Sequence, residues 1–310
     1  MTTRQIPSQE EVLGYMESLS NWGRWGDDDT LGTLNLITPE KRIAATNLVR
    51  EGLTVTCARP IIPELAGDLT SIPPLHYMMS TGESAPEEGP HAASDFLGIA
   101  PHGLTITHLD TPSHQFWNGK MYNGRSASQV TAQHKATVGG VDTVKNGIVT
   151  RGVLLDITRV KGKDWLEAGE GVFPEDLEAA EAAQGVRLGE GDALLLRMGW
   201  YKRRLQVGAP PPPDRPGLHV ASMPWLWERG VALLVSDASH DVMPNDYPAL
   251  VMPVHRVGIV GMGLWLLDAA NFEELLPVCQ QLNRWEFMFT VAPLRWTNAT
   301  GCPVNPLAIF

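Results

Sequence analysis

The sequence predicts an α/β protein, sheet layers carrying helices, in one domain spanning residues 1–310. Three observations point there. Short apolar runs bounded by turn residues recur at 152–157, 193–200 and 231–236, the pattern of buried strands. A helical segment with acids in its first turn, 174–184, stands between the first two. The 310-residue chain is 43% hydrophobic and 19% charged, a balance that buries a large core without added cross-links.

Taken in order, residues 9–16 have helical spacing. Residues 38–49 read as a second helix, with Thr38 as N-cap and Pro39 at the first helical position. The first 50 residues are expected to form a helical arm that packs on the rest of the chain or on a neighbouring subunit. Between these helices, NWGRWGDDDTLGTLN (21–35) sets Trp22 and Trp25 three apart among glycines and acids. They either cap the core or reach over a pocket. Residues 53–61 alternate and read as a strand. Residues 62–100 are rich in Pro, Gly, Ser and acids and read as a lid, a binding loop or a plain insertion. The proline run within 209–217 is a stiff, extended loop. Residues 287–293 and 301–310 read as closing strands and turns.

Charge and cysteine usage exclude several classes. Lys and Arg total 24 against 35 acidic residues, a net charge of −11, which argues against nucleic acid or an anionic membrane as the main partner. Cys57, Cys279 and Cys302 are too few and too scattered for a disulfide framework or a thiolate zinc site. The first residues lack a basic-then-apolar signal pattern, and no apolar run approaches the roughly 20 residues of a membrane span. A soluble, cytoplasmic protein is expected.

Three of the nine histidines, His102, His108 and His114, fall within HGLTITHLDTPSH (102–114). Read as a strand, this segment turns His108 and Asp110 to one face. An imidazole beside a carboxylate suits Zn²⁺, Mn²⁺ or Fe²⁺. Three polar groups on an otherwise apolar strand are costly without partners. Thr111-Pro112 ends the strand, because proline has no N–H to donate. The bend returns His114 to the same cavity as a proton acceptor rather than a ligand. On a continuous strand rising roughly 3.3 Å per residue, His102 would stand about 20 Å from His108, so only a bulge or turn makes it a ligand. SDASHDV (236–242) follows a buried-looking strand, so Asp237, His240 and Asp241 line the cavity, orient its ligands, or form a polar turn. Phe116 and Trp117 wall an apolar pocket or belong to the core. GIVGMG (258–263) is not a dinucleotide fingerprint, and the chain has no serine elbow, HExxH or phosphate loop, which disfavours a serine-triad hydrolase.

HLDTPSH (108–114) resembles the core of the H-x-G-T-H-x-D-x-P-x-H signature of the cyclase family, which includes bacterial kynurenine formamidase and isatin hydrolase. VHRVGIVGMGLWLLDAANFEEL (254–275) is similar to that family's segment in which a His precedes, by about a dozen residues, an acid followed by Asn and a helix. FMFTVAPLRWTNATGCPVNPLAIF (287–310) resembles its closing strand and proline-bearing tail, and NWGRWGDDDTLGTLN resembles the opening of a longer branch. The resemblance implies a swivelling β/β/α fold of mixed sheets with flanking helices. It implies metal-dependent hydrolysis of an amide, lactam or lactone, in a homodimer or homotetramer with the site near a subunit interface. By position, His108 and Asp110 match metal ligands, His114 matches the catalytic His, and His255 and Asp268 match the second-half His and acid. Asp268 stands where kynurenine formamidase has Glu. The signature's first His falls on Leu104, with His102 as its candidate replacement. Those two departures favour one divalent ion, Zn or Mn, per subunit. The expected substrate is a small aromatic or cyclic molecule held by Trp22, Trp25, Phe116, Trp117 and His240. A non-hydrolytic cyclase or dehydratase on the same scaffold and a metal-free small-molecule-binding protein are the alternatives.

Overall fold

The computed structural model describes residues 4–62, 72–208, 213–247 and 250–310. Its strands include β1 (Thr54–Thr56), β2 (Leu75–Ser80), β3 (Ser94–Gly98), β4 (His108–Asp110), β5 (Ile148–Asp156), β6 (Ala193–Arg197), β7 (Leu233–Ser236), β8 (Trp265–Asp268), β9 (Glu286–Val291), β10 (Gly301–Pro303) and β11 (Leu307–Ile309). Its helices include α1 (Gln9–Ser18), α2 (Pro39–Thr46), α3 (Ile157–Lys161), α4 (Pro174–Gln184), α5 (Trp200–Val207) and α6 (Met223–Arg229). The short α7 (Pro253–His255) continues as a π-helical stretch, Arg256–Met262, and α8 is Leu275–Leu282.

Nine strands form one mixed sheet in the order β1-β11-β9-β5-β6-β7-β8-β4-β10. The four apolar runs β5 to β8 are parallel neighbours, and antiparallel strands flank them on both sides. A parallel centre is covered on both faces, which is why these runs read as nearly unbroken hydrophobic stretches. Val153, Leu155, Leu194, Leu196, Leu234 and Leu266 face a layer that includes residues of α4, α6 and the π-helical stretch. Leu154, Leu195, Leu233, Val235 and Leu267 face the other, closed by Phe287, Phe289 and Phe310. Truncating one of these buried leucines to Ala would cost about 2–5 kcal/mol.

The opening arm packs on its own chain. Ser8 and Glu11 cap α1 reciprocally, Val12 is buried, and Asn21 Nδ2 donates to Met262 O at 2.8 Å. Thr38 Oγ1 accepts from Lys41 N at 3.2 Å and Pro39 opens α2, as the sequence predicts. Helix α4 occupies 174–184 and stops at Gly185.

Other expected bounds change. The strand expected over 53–61 is only Thr54–Thr56. The run 193–200 splits, because the buried Asp237 carboxylate accepts Met198 N–H at 2.9 Å and Trp200 N–H at 3.1 Å and turns the chain into α5. Within 62–100, β2 and β3 pair as an exposed antiparallel hairpin, while 63–71 lie outside the described residues. Residues 209–212 of the proline run also lie outside them. The segment 102–114 is not one strand, since only His108–Asp110 joins the sheet. All three cysteines are buried and unbridged. Among the described residues, no helix is long and apolar enough to cross a membrane.

Candidate metal centre

Strand pairing assembles the first half of the site. The short β4 is threaded between β8 and β10, so His108 lies opposite Asp268, and Asp110 lies opposite both Leu266 and Gly301. Directly opposed residues of an antiparallel pair share a face, so His108, Asp110 and Asp268 converge, while Leu109 points into the other core layer.

His102 reaches this face by a turn. Gly103 has a φ of +153°, a conformation that side chains oppose, and the chain bends between it and β4. Arg59 pins the bend. Its Nη1 donates to Leu104 O at 2.9 Å, its Nε to Ala270 O at 3.3 Å and its Nη2 to Asp237 O, while its backbone N–H donates to Thr107 Oγ1 at 2.9 Å. His102 Nδ1 consequently lies 2.8 Å from Asp110 Oδ1, and the 20 Å separation expected of an extended strand collapses to 5.4 Å between the His102 and His108 rings. Beyond Pro112, the His114 ring stacks on His102 at 3.9 Å, with its Nε2 3.7 Å from Asp110 Oδ2.

The tautomers are set from behind. His108 Nδ1 lies 2.7 Å from Ile106 O, which can only accept, so the proton sits on Nδ1 and the Nε2 lone pair faces Asp110 Oδ1 at 3.4 Å. Asp241 accepts the N–H groups of Val254 at 2.6 Å and His255 at 3.2 Å, and also bonds His255 Nδ1. This holds His255 Nε2 3.7 Å from Asp110 Oδ2 and 3.6 Å from Asp268 Oδ2. His240, fully buried, sets its Nε2 2.9 Å from Asp268 Oδ1.

Two donor sets result, His102/His108/Asp110 and Asp110/His255/Asp268, each with its ligand atoms within 4.8 Å of one another. They share Asp110, whose two oxygens face opposite sets. Both Asp110 oxygens, His102 Nδ1 and Asp268 Oδ1 are buried without a hydrogen-bond partner among the described residues, since their close nitrogen neighbours are misaligned for hydrogen bonds. Buried nitrogen and carboxylate donors converging without partners fit a divalent cation. Leu104 and Asp268 stand where the resemblance departs from the signature, and the residues around them still leave both donor sets.

Electrostatics separate the roles. Burial raises the Asp110 carboxyl, but His114, His108 and His102 outweigh it and hold it below the usual carboxylate range. Asp268 is lowered in the same way against burial by His240 and His255. Burial lowers His114 to about 4, with Asp110 opposing. His255 is also disfavoured by burial, yet Asp241 and Asp268 raise it to about 10. Burial raises Asp237 to about 6, and that carboxyl serves the α5 turn rather than the cluster.

The donors open on a cavity of about 420 Å³. Of the residues expected to hold substrate, none of the four aromatics lines it. Trp22 Nε1 donates to Val260 O at 2.7 Å, and Trp25 stacks under Arg24 against the second core layer. Trp117 packs on the first layer, and Phe116 O accepts from Arg256 Nη1 at 2.6 Å. Trp25 and Trp117 thus pack against the core layers, while Trp22 is 38% exposed. His240 stands 2.9 Å from Asp268 Oδ1 and does not line the cavity. The sequence reading missed Arg215, Gln115, Ser239 and Met252 in the cavity wall. Isolated residues in irregular segments carry no periodic signal.

The model of the Cyclase family matches residues 53–240. A crystal structure described as a novel cyclase is 31% identical, with a TM-score of 0.85 over 95% of this chain and 99% of that one. Isatin hydrolase A from Labrenzia aggregata, bound to benzyl benzoate, is 20% identical, with a TM-score of 0.59 over 85% of this chain and 94% of that one. A predicted metal-dependent hydrolase from Bacillus stearothermophilus is 14% identical, with a TM-score of 0.51 over 83% of this chain and 97% of that one. No curated protein sequence matches the chain.

Proposed function

Starting from the fact that this chain belongs to the cyclase family, we propose that it is a metal-dependent hydrolase opening an amide, lactam or lactone bond of a small aromatic or cyclic substrate. One observation carries the reading: two converging donor sets share Asp110 on the floor of a cavity, with His114 beside them. The isatin hydrolase and metal-dependent hydrolase among its structural neighbours support it by fold.

His102, His108 and Asp110 would hold one divalent ion, Zn or Mn, and Asp110, His255 and Asp268 a second. When bound, such an ion supplies Lewis-acid chemistry, polarising a carbonyl and acidifying a water. The chain's own groups do the rest. His114, neutral above about pH 4, accepts a proton at Nε2 and returns it to the leaving group. Asp241 keeps the His255 ring in register, and Arg59 keeps the His102 bend in place. His102 fills the role that Leu104 cannot. The working form is a homodimer or homotetramer in the cytoplasm. Assembly is supported by the apolar hairpin β2/β3, where Met79 and Leu97 are 71% and 67% exposed.

The test uses purified protein, a chelator and a panel of amides, lactams and lactones that includes isatin. Turnover should vanish on chelation and return with Zn²⁺ or Mn²⁺, and product formed in H₂¹⁸O should carry the label. Label-free turnover would instead indicate a cyclase or dehydratase, and turnover indifferent to chelation would refute the metal.

A further inference from the structure

Arg215 is 5% exposed and lines the same cavity as the donor cluster. Its backbone is fixed, since its N–H donates to Met243 O at 3.0 Å and its O accepts from Met243 N at 2.9 Å. Its guanidinium is anchored on one side only, where Nη1 donates to Pro213 O at 2.8 Å. Nε has no hydrogen-bond partner among the described residues, and neither Nε nor Nη2 makes an ion pair with any of them. Asp241, Asp268 and Asp214 act on it through space without contact.

A guanidinium does not shed its proton in a protein, so this is a buried, half-bonded cation. An unpaired buried charge is expensive, and the cost is relieved by a hydrogen-bonded anion. The bonding pattern specifies which. With Nη1 engaged, the Nε/Nη2 edge is left, and two parallel N–H groups on one edge match the two oxygens of a carboxylate. Arg215 is the one Lys or Arg among the described residues of the cavity wall.

We propose that Arg215 is a substrate-binding residue that grips a carboxylate placed away from the scissile bond, so that this chain selects anionic small molecules. The inference deepens the metal-hydrolase reading and rests on it for the position of the scissile carbonyl. A neutral substrate would leave the buried guanidinium edge unpaired. A carboxylate satisfies it and directs the opposite end of the molecule toward Asp110.

The probes are succinate, glutarate and adipate against butyrate, titrated calorimetrically into zinc-loaded full-length protein. One carboxylate of any probe can engage the ion, and only the diacids have a second for Arg215. The best diacid should bind at least about tenfold tighter than butyrate, consistent with a charge-assisted bidentate pair. Arg215→Gln should bring that ratio to about one with zinc stoichiometry unchanged, and Arg215→Lys should keep part of it. An equal ratio in wild type and variant, or no diacid preference in wild type, overturns the proposal. Should Arg215→Gln not fold, the Arg215→Lys ratio decides, since Lys lacks the bidentate edge. Should wild type take no zinc, the metal reading fails separately. Diacid binding that depends on Arg215 would then still uphold the anion site, and its absence would overturn it.

Discussion

Gly301 makes room for His102. A Cβ on Gly301 would lie 2.4 Å from His102 Cε1 and 2.8 Å from its Nε2, so the bare backbone of β10 is what allows the imidazole to fold over onto Asp110. Gly301→Ala should displace the ring and weaken zinc binding by about 10–100-fold, the range seen when supports of a ligand are lost. Because the same Cβ would sit 2.9 Å from Leu109 O, about 1–3 kcal/mol of stability should go as well. His102→Ala separates the two effects. It should reproduce the zinc loss without the packing cost, as read by zinc titration and chemical denaturation.

That relationship marks where the sequence stops being legible. The pair His108/Asp110 and the return of His114 follow from local chemistry, a two-residue strand period and a proline. The pairing of His108 with Asp268 and of Asp110 with Gly301 depends on sheet register between segments more than 150 residues apart, which no local pattern encodes. His102 was legible only as a question, because its bend is held by Arg59 and admitted by Gly301, both remote in sequence. Three of the four parallel strands, β5 to β7, were legible because they are apolar on both faces, whereas β8 was not read as a strand. The aromatics of the opening loop were not, since a tryptophan over a core edge and one over a pocket have the same local sequence.

His114→Ala should lower kcat by about 10²–10⁴-fold, the usual worth of a positioned general base, while zinc stays bound. The wild-type profile should also be distinctive. An exposed histidine would lose basicity below about 6.5, but burial lowers His114 to about 4, so at saturating zinc His114 itself should put no acidic limb near 6.5 on the profile. An unchanged kcat in the variant, measured on any substrate that turns over, would remove His114 from the chemistry.

Metal entry should expel a proton from His255. In the metal-free protein its pKa is raised to about 10, well above the ordinary imidazole value of about 6.5. A raised folded value contributes stability that is fully present below about 6.5 and is lost as pH rises through about 10. The same proton competes with the ion, so zinc affinity should rise with pH up to about 10, by up to about tenfold per pH unit. Calorimetry at pH 7.5 in buffers of different ionisation enthalpy should register close to one proton released for the ion at Asp110, His255 and Asp268. No release would contradict the assignment.

Asp241→Asn should weaken zinc binding by about 10–100-fold although Asp241 belongs to neither donor set. The carboxylate orients His255 and supplies the largest pull on its proton. The variant should therefore also release less proton on metal binding than wild type. Unchanged affinity and unchanged proton release would show that the His255 ring is held by packing alone.

The central claim is that these histidines and aspartates form a cation site, and anomalous scattering from crystals of zinc-loaded protein tests it most directly. The account expects strong peaks about 2.0–2.2 Å from donor atoms of His102, His108 and Asp110, or of Asp110, His255 and Asp268, as zinc–nitrogen and zinc–oxygen bonds require. An anomalous map without a peak inside this cluster, at full zinc occupancy elsewhere or with no zinc retained, would contradict it.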